Sequence, residues 1–136
     1  MAASILGCMR PEELHAACLE PNGAVEERPF GPETSVFKVG GKLFALSRLD
    51  AEPLSVSLKC DPELAVQLRA TYPEIVGGYH LNKRHWNTVR LDGAVPERLV
   101  LEMIEDSYDL VVAKLPRARR LALDWPGERH RPPPGT

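Results

Sequence analysis

The stretch Thr34-Ser35-Val36-Phe37-Lys38-Val39-Gly40-Gly41-Lys42-Leu43-Phe44-Ala45-Leu46-Ser47 decides the fold. Gly40-Gly41 separates two runs rich in β-forming residues, and a type I′ hairpin turn needs φ > 0 at both central positions. The turn predicts pairing of Phe37 with Phe44 and of Ser35 with Leu46. Phe37, Val39, Phe44 and Leu46 then share one face, and Thr34, Val36, Lys38, Leu43, Ala45 and Ser47 share the other. The next segment alternates as cleanly, with Leu54, Val56, Leu58 and Cys60 inward and Ser55, Ser57 and Lys59 outward. Trp86 to Leu91 reads as a further strand ended by Asp92-Gly93, and Ala24 to Arg28 as a short edge strand.

Helices bracket this strand territory. Pro11-Glu12-Glu13 opens the first, because proline suits the first turn and carboxylates suit the positive end of the macrodipole. Leu14, Ala17 and Cys18 give it an apolar stripe, and Pro21-Asn22-Gly23 stops it. Asp61 caps a second helix carrying Leu64, Leu68 and Tyr72, which Pro73 ends. Pro96-Glu97 opens the longest, to about Leu115, with Leu99, Val100, Met103, Ile104, Leu110 and Val111 as its buried face. Tight turns make consecutive strands antiparallel, and alternation means that one face is covered while the other stays open. The predicted fold is a two-layer α+β sandwich, an antiparallel sheet covered on one face by helices.

The 136 residues suffice for one domain, predicted to span 1–116 and to be followed by a flexible Arg/Pro-rich tail over 117–136. Leu121, Leu123 and Trp125 are the tail residues able to dock on the domain. Hydrophobic residues at 43% and charged ones at 26% argue against wholesale disorder. No apolar run approaches the roughly 18 residues of a membrane span. The three cysteines have no CxxC spacing, and the apolar stretch before Cys8 is too short for a signal peptide, so a cytoplasmic setting is expected. The net charge of −2 divides into +3 over residues 117–136 and −5 over the rest, which excludes a globally basic nucleic-acid binder. Any affinity for phosphate must come from a local patch.

One such patch lies between Gly77 and Arg90. It holds Lys83, Arg84 and Arg90 for phosphates, Tyr79 and Trp86 for stacking, Asn82 and Asn87 for base edges, and no acid. The plain structural alternative is that Leu81 and Trp86 anchor the sheet while the cations form a solvated rim. His80 and His85 are five residues apart, which suits neither a helical nor a strand pair of metal ligands, and no third ligand is nearby. Gly40-Gly41-Lys42 imitates the end of a phosphate loop, but Val36 stands where that loop needs glycine and Leu43 where it needs Ser or Thr. No metal, no cofactor and no catalytic residue is predicted.

Pro29 to Thr34, Val36 to Leu46, Leu58 to Pro62 and above all His80-Leu81-Asn82-Lys83-Arg84-His85-Trp86-Asn87-Thr88-Val89 resemble, in this order, the MmcQ/YjbR family. The resemblance runs from about Met9 to Pro116. It implies a CyaY-like (frataxin-like) α+β fold and DNA binding of a "double-wing" type, in which a saddle-shaped sheet meets the DNA. It also implies that Lys38, Ser55, Ser57 and Lys59 lie on the open face, with His80, Asn82, Lys83, His85, Trp86 and Asn87 in a signature segment beside it. Frataxin's iron does not follow, because the chain shows no dense acidic ridge.

The leading expectation is therefore a small bacterial regulatory protein that binds DNA through an electropositive sheet face. Lys59, Lys83, Arg84 and Arg90 would meet phosphates, and Tyr79 or Trp86 would stack or wedge. Two other readings stay open. One is a protein-interaction module, which requires an apolar patch beside Trp86. The other is a small-ligand binder or catalyst using His80 and His85 in a pocket.

Overall fold

In the computed structural model, which describes residues 9–78 and 81–125, Gly40 and Gly41 both take positive φ, 58° and 81°. They join strands β2 (Thr34–Val39) and β3 (Lys42–Arg48). A Cβ on Gly40 would lie 2.7 Å from the Leu115 side chain, so the turn needs glycine for space as well as for conformation. Next to the turn Val39 faces Lys42 and Lys38 faces Leu43 as predicted, but then Phe37 faces Ala45. Phe44 is the extra residue of a β-bulge. Beyond it every β3 side chain changes face. Ala45 enters the core at 0% exposure, while Leu46, predicted inward, lies half-buried on the uncovered side.

The remaining elements are α1 (Pro11–Leu19), β1 (Val25–Glu27), β4 (Ser55–Lys59), α2 (Pro62–Thr71), β5 (Ile75–Gly77), β6 (Trp86–Arg90), α3 (Glu97–Ala113) and α4 (Arg117–Ala122). Asp61 caps α2 as expected, its Oδ2 accepting the Glu63 and Leu64 amides at 3.2 and 3.3 Å. The strands form one antiparallel sheet in the order β1-β2-β3-β4-β6-β5. β5, three residues long, is too short to show a period in sequence and was not predicted. It pairs with β6, which contains the last part of the signature segment, Trp86 to Val89.

Helices cover a single face. α3 lies across β3 and β4, α2 packs on β5 and β6, and α1 packs on α3. Leu14 and Cys18 of α1, with Val100, Ile104, Val111 and Val112 of α3, meet Phe37, Val39, Phe44, Val56, Leu58 and Val89 in the core. Phe44 stands edge-on to Tyr108, ring centroids 5.5 Å apart. In mid-helix, the Ser107 hydroxyl donates to the Phe44 carbonyl at 2.6 Å and accepts the Lys59 amide at 2.9 Å. It thereby bridges β3 and β4 where the bulge disturbs their ladder.

The predicted tail needs correction. Residues 117–122 form α4, and Leu123 and Trp125 pack against the core. Trp125 Nε1 donates to Asp109 at 3.1 Å, Asn22 to the Leu123 carbonyl at 2.9 Å, and Arg119 to the Gly40 carbonyl at 2.8 Å. The domain therefore reaches at least Trp125 instead of ending at 116, while the rest of the predicted tail lies outside the described residues. No helix among the described residues is long and apolar enough to cross a membrane.

Candidate nucleic-acid interface

Strand alternation places Lys38, Ser55, Ser57 and Lys59 on the uncovered face, and Trp86 and Arg90 beside them. Their surroundings differ from the expected electropositive saddle. Lys38 Nζ is 2.9 Å from Glu27 Oε1. Arg90 Nε is 2.6 Å from Asp92 Oδ2 and its Nη2 is 3.8 Å from Glu74, and this guanidinium holds the Asp92 carboxyl below its usual range. Ser57 is buried at 4% exposure, its hydroxyl 2.8 Å from that of Thr88. Acids on the neighbouring strand and loops thus neutralise two of the predicted cations.

The signature segment is also committed to its own architecture. Lys83 lays its stem along Gly77, and its Nζ donates to the Gly78 carbonyl at 3.1 Å. Asn82 Oδ1 accepts the Arg84 amide at 2.9 Å, and the Asn82 carbonyl accepts the His85 amide at 3.1 Å. His85 in turn accepts the Cys60 amide through its carbonyl. A Cβ on Gly78 would come within 2.6 Å of the Trp86 Cβ, which explains the glycine there. Asn87, predicted to read base edges, points to the helix side at 2% exposure. It accepts Arg69 at 2.7 Å and donates to the Ala65 carbonyl at 3.4 Å. It is therefore a lock between α2 and β6. Arg84 is exposed and has no carboxylate within ion-pair distance among the described residues. Tyr79 and His80 lie outside the described residues.

The middle of the uncovered face is apolar. A trough of about 720 Å³ is lined by Phe30, Leu43, Leu46, Ala51, Val76 and Leu81. Thr34, Ser47, Ser55, Ser57 and Thr88 line it too, and among the described residues Arg48 is the only charged one. The bulge explains why sequence reading missed it, since the predicted register turned Leu46 inward.

A second group of cations gathers elsewhere. Lys42, Lys59 and Lys114 line one cleft of about 370 Å³, with Leu43, Val111 and Leu115, where the hairpin end of the sheet meets the last turn of α3. Arg117, Arg119 and Arg120 of α4 follow directly, Arg119 and Arg120 being tied to the Gly40 and Leu115 carbonyls. Among the described residues no carboxylate lies within ion-pair distance of any of these cations. Lys42 and Lys114 carry no motif in sequence. Only the packing of the hairpin turn on α3 brings them together.

Burial pushes the Cys18 thiol up to about 12, and burial with the nearby Asp61 and Asp106 charges does the same to Cys60. Among the described residues no group of histidines, cysteines and carboxylates could hold a metal ion.

The arrangement defines a class, the two-layer α+β proteins with one sheet face left uncovered. Within it, the model of the YjbR family matches residues 19–110, and the chain belongs to that family. It is 35% identical over 115 residues to YjbR of Escherichia coli K12, covering 85% of this chain and 98% of the relative. It is 46% identical over 85 residues to YbdF of Escherichia coli O157:H7, covering 62% and 69%. The crystal structure of a Deinococcus radiodurans protein with the DUF419 domain superposes with a TM-score of 0.84 at 41% identity, over 91% of this chain and 94% of that one. A Pseudomonas syringae protein superposes at 0.65 with 28% identity, over 75% and 98%. None of these names carries an activity.

Proposed function

We propose that this protein binds nucleic acid by its phosphate backbone, through the lysine-lined cleft at the hairpin end. The observation that carries this reading is the convergence of Lys42, Lys59 and Lys114 on one cleft, with no carboxylate within ion-pair distance among the described residues, in a chain of net charge −2. Backbone binding needs local positive charge free to displace counterions, and committed ion pairs do not supply it. This reading moves the contact from the centre of the sheet to its end. It keeps Lys59 and the adjacent Trp86, its cross-strand partner, from the predicted set. Trp86 then provides the aromatic face beside the phosphates.

The test is a titration of labelled duplex DNA at several salt concentrations, followed by anisotropy. Affinity should fall with salt, and Lys42→Ala, Lys59→Ala and Lys114→Ala together should flatten the log–log slope by about 2–3 units. Lys83→Ala with Arg84→Ala should change it by one unit at most, since only Arg84 is uncommitted. The absence of binding at low salt overturns the reading. A flattening confined to the Lys83/Arg84 variant returns the contact to the signature segment.

A further inference from the structure

The trough on the uncovered sheet face has a direction. Strand register sets Arg48 opposite Thr34 at one end, with Ser55 on the next strand and Ala51 in the turn after Arg48. Toward the other end the same strands present Leu46 and then Leu43, flanked by Val76 and Leu81 from the β5–β6 hairpin. One end is thus cationic and hydroxyl-bearing and the other aliphatic. Val76 is 53% exposed and Phe30 72% exposed, an unusual outlay of apolar surface on a small domain. The volume of about 720 Å³ is that of a small-molecule site.

We propose that this trough binds an amphipathic monocarboxylate, with its acid on Arg48 and its hydrocarbon chain along Leu46, Val76, Leu81 and Leu43. Charge complementarity selects the head group. Among the described residues, Arg48 is the only charged one lining the trough, and no carboxylate lies within ion-pair distance of it. A guanidinium fork matches a carboxylate in two-point geometry, so a single negative charge is satisfied by this one partner. The Thr34 and Ser55 hydroxyls supply further donors at that end. The aliphatic side chains of Leu46, Val76 and Leu81 favour a hydrocarbon chain over a second charge along the trough. Leu43 lines both this trough and the lysine cleft, but the binding proposed here does not depend on the nucleic-acid reading.

The experiment titrates the full chain with decanoate and, separately, with decanol below their aggregation limits, following amide shifts in a nitrogen-correlated NMR spectrum. Decanoate should shift the amides of Leu46, Ser57, Val76 and Thr88 and bind more tightly than decanol. Arg48→Gln should weaken decanoate about tenfold while leaving decanol unchanged, the loss expected for one charge-assisted contact. Val76→Glu, a substitution at an exposed edge position that leaves the core intact, should abolish decanoate binding without lowering the melting temperature. Equal binding of acid and alcohol, or indifference to Arg48→Gln, overturns the carboxylate assignment. If the same amides instead shift with protein concentration alone, the trough is a contact between copies of the chain and the proposal fails. No shift in these amides with either probe also overturns it.

Discussion

Replacing Ser107 by alanine removes one hydroxyl from the middle of α3 and tests how the sheet tolerates its bulge. Ser107 is 0% exposed, and its Oγ serves two buried backbone groups, the Phe44 carbonyl at 2.6 Å and the Lys59 amide at 2.9 Å. The β3–β4 ladder proper joins Ala45 with Leu58 and Leu46 with Ser57, so the hydroxyl stands where the next direct contact would fall. Leaving a buried donor or acceptor unsatisfied costs about 1–3 kcal/mol each. Strand relaxation recovers part of this, and the better helix propensity of alanine returns about 0.5 kcal/mol. A net loss of about 2–3 kcal/mol follows. With an unfolding entropy of about 0.3 kcal/mol/K for a domain this size, the melting temperature should fall by about 7–10 °C. Urea melts give the free energy, and an unchanged m-value shows that the native state stays intact. Ser57→Ala is the control, because the Thr88 hydroxyl it leaves lines the solvent-facing trough, and it should cost less than 1 kcal/mol. A Ser107→Ala loss below about 0.5 kcal/mol, or one equal to that of Ser57→Ala, would refute the bridging argument.

Further expectations concern other parts of the domain. The Ser35 hydroxyl, then His15 and Arg28, lower the Glu26 carboxyl from 4.5 to about 2. A carboxylate lowered on folding contributes stability that is complete above its unfolded value and is lost as pH falls, here from about pH 5 towards pH 2. The full shift corresponds to about 3 kcal/mol, and solvent screening at this rim leaves about 1 kcal/mol. Glu26→Gln should remove that part of the acid slope in denaturant melts taken across the window. Asn87→Ala should cost about 1–3 kcal/mol by stripping Arg69 and the Ala65 carbonyl of their partner. At a pH and temperature where the variant is fully folded, its affinity for duplex should be unchanged, whereas a base-reading Asn87 would show the opposite pattern. Trp125→Ala should cost about 2 kcal/mol in a thermal melt through lost packing and the Asp109 contact. A free tail beyond residue 116 would show no change.

Much of the architecture was legible locally. The Gly40-Gly41 turn, the Asp61 cap, the prolines opening the helices and the alternation of Leu54 to Lys59 each act within a few residues, and all stand where they were read. The resemblance carried by His80 to Val89 was likewise right about the family. Two elements escaped. β5 spans three residues, and α4 has no apolar stripe, its stability coming from Arg119, Leu123 and Trp125 touching residues far off in sequence. The candidate site was legible only as a set of residue types. Which cations remain free depends on Glu27, Glu74 and Asp92, acids that were not read as partners of Lys38 and Arg90.

The sequence by itself determined the fold class and the family, because periodicity, turn glycines and caps are set by backbone sterics and near-neighbour hydrogen bonds. Tertiary structure decided which side of the sheet each β3 residue serves, where the apolar trough lies and which lysines stand together. The reason is one extra residue. Phe44 bulges so that both it and Ala45 enter the core, the Ser107 hydroxyl across the layer meets the backbone groups this disturbs, and Leu46 turns to the uncovered face. No local pattern distinguishes that arrangement from the regular hairpin, since the choice rests on contacts summed over the whole core.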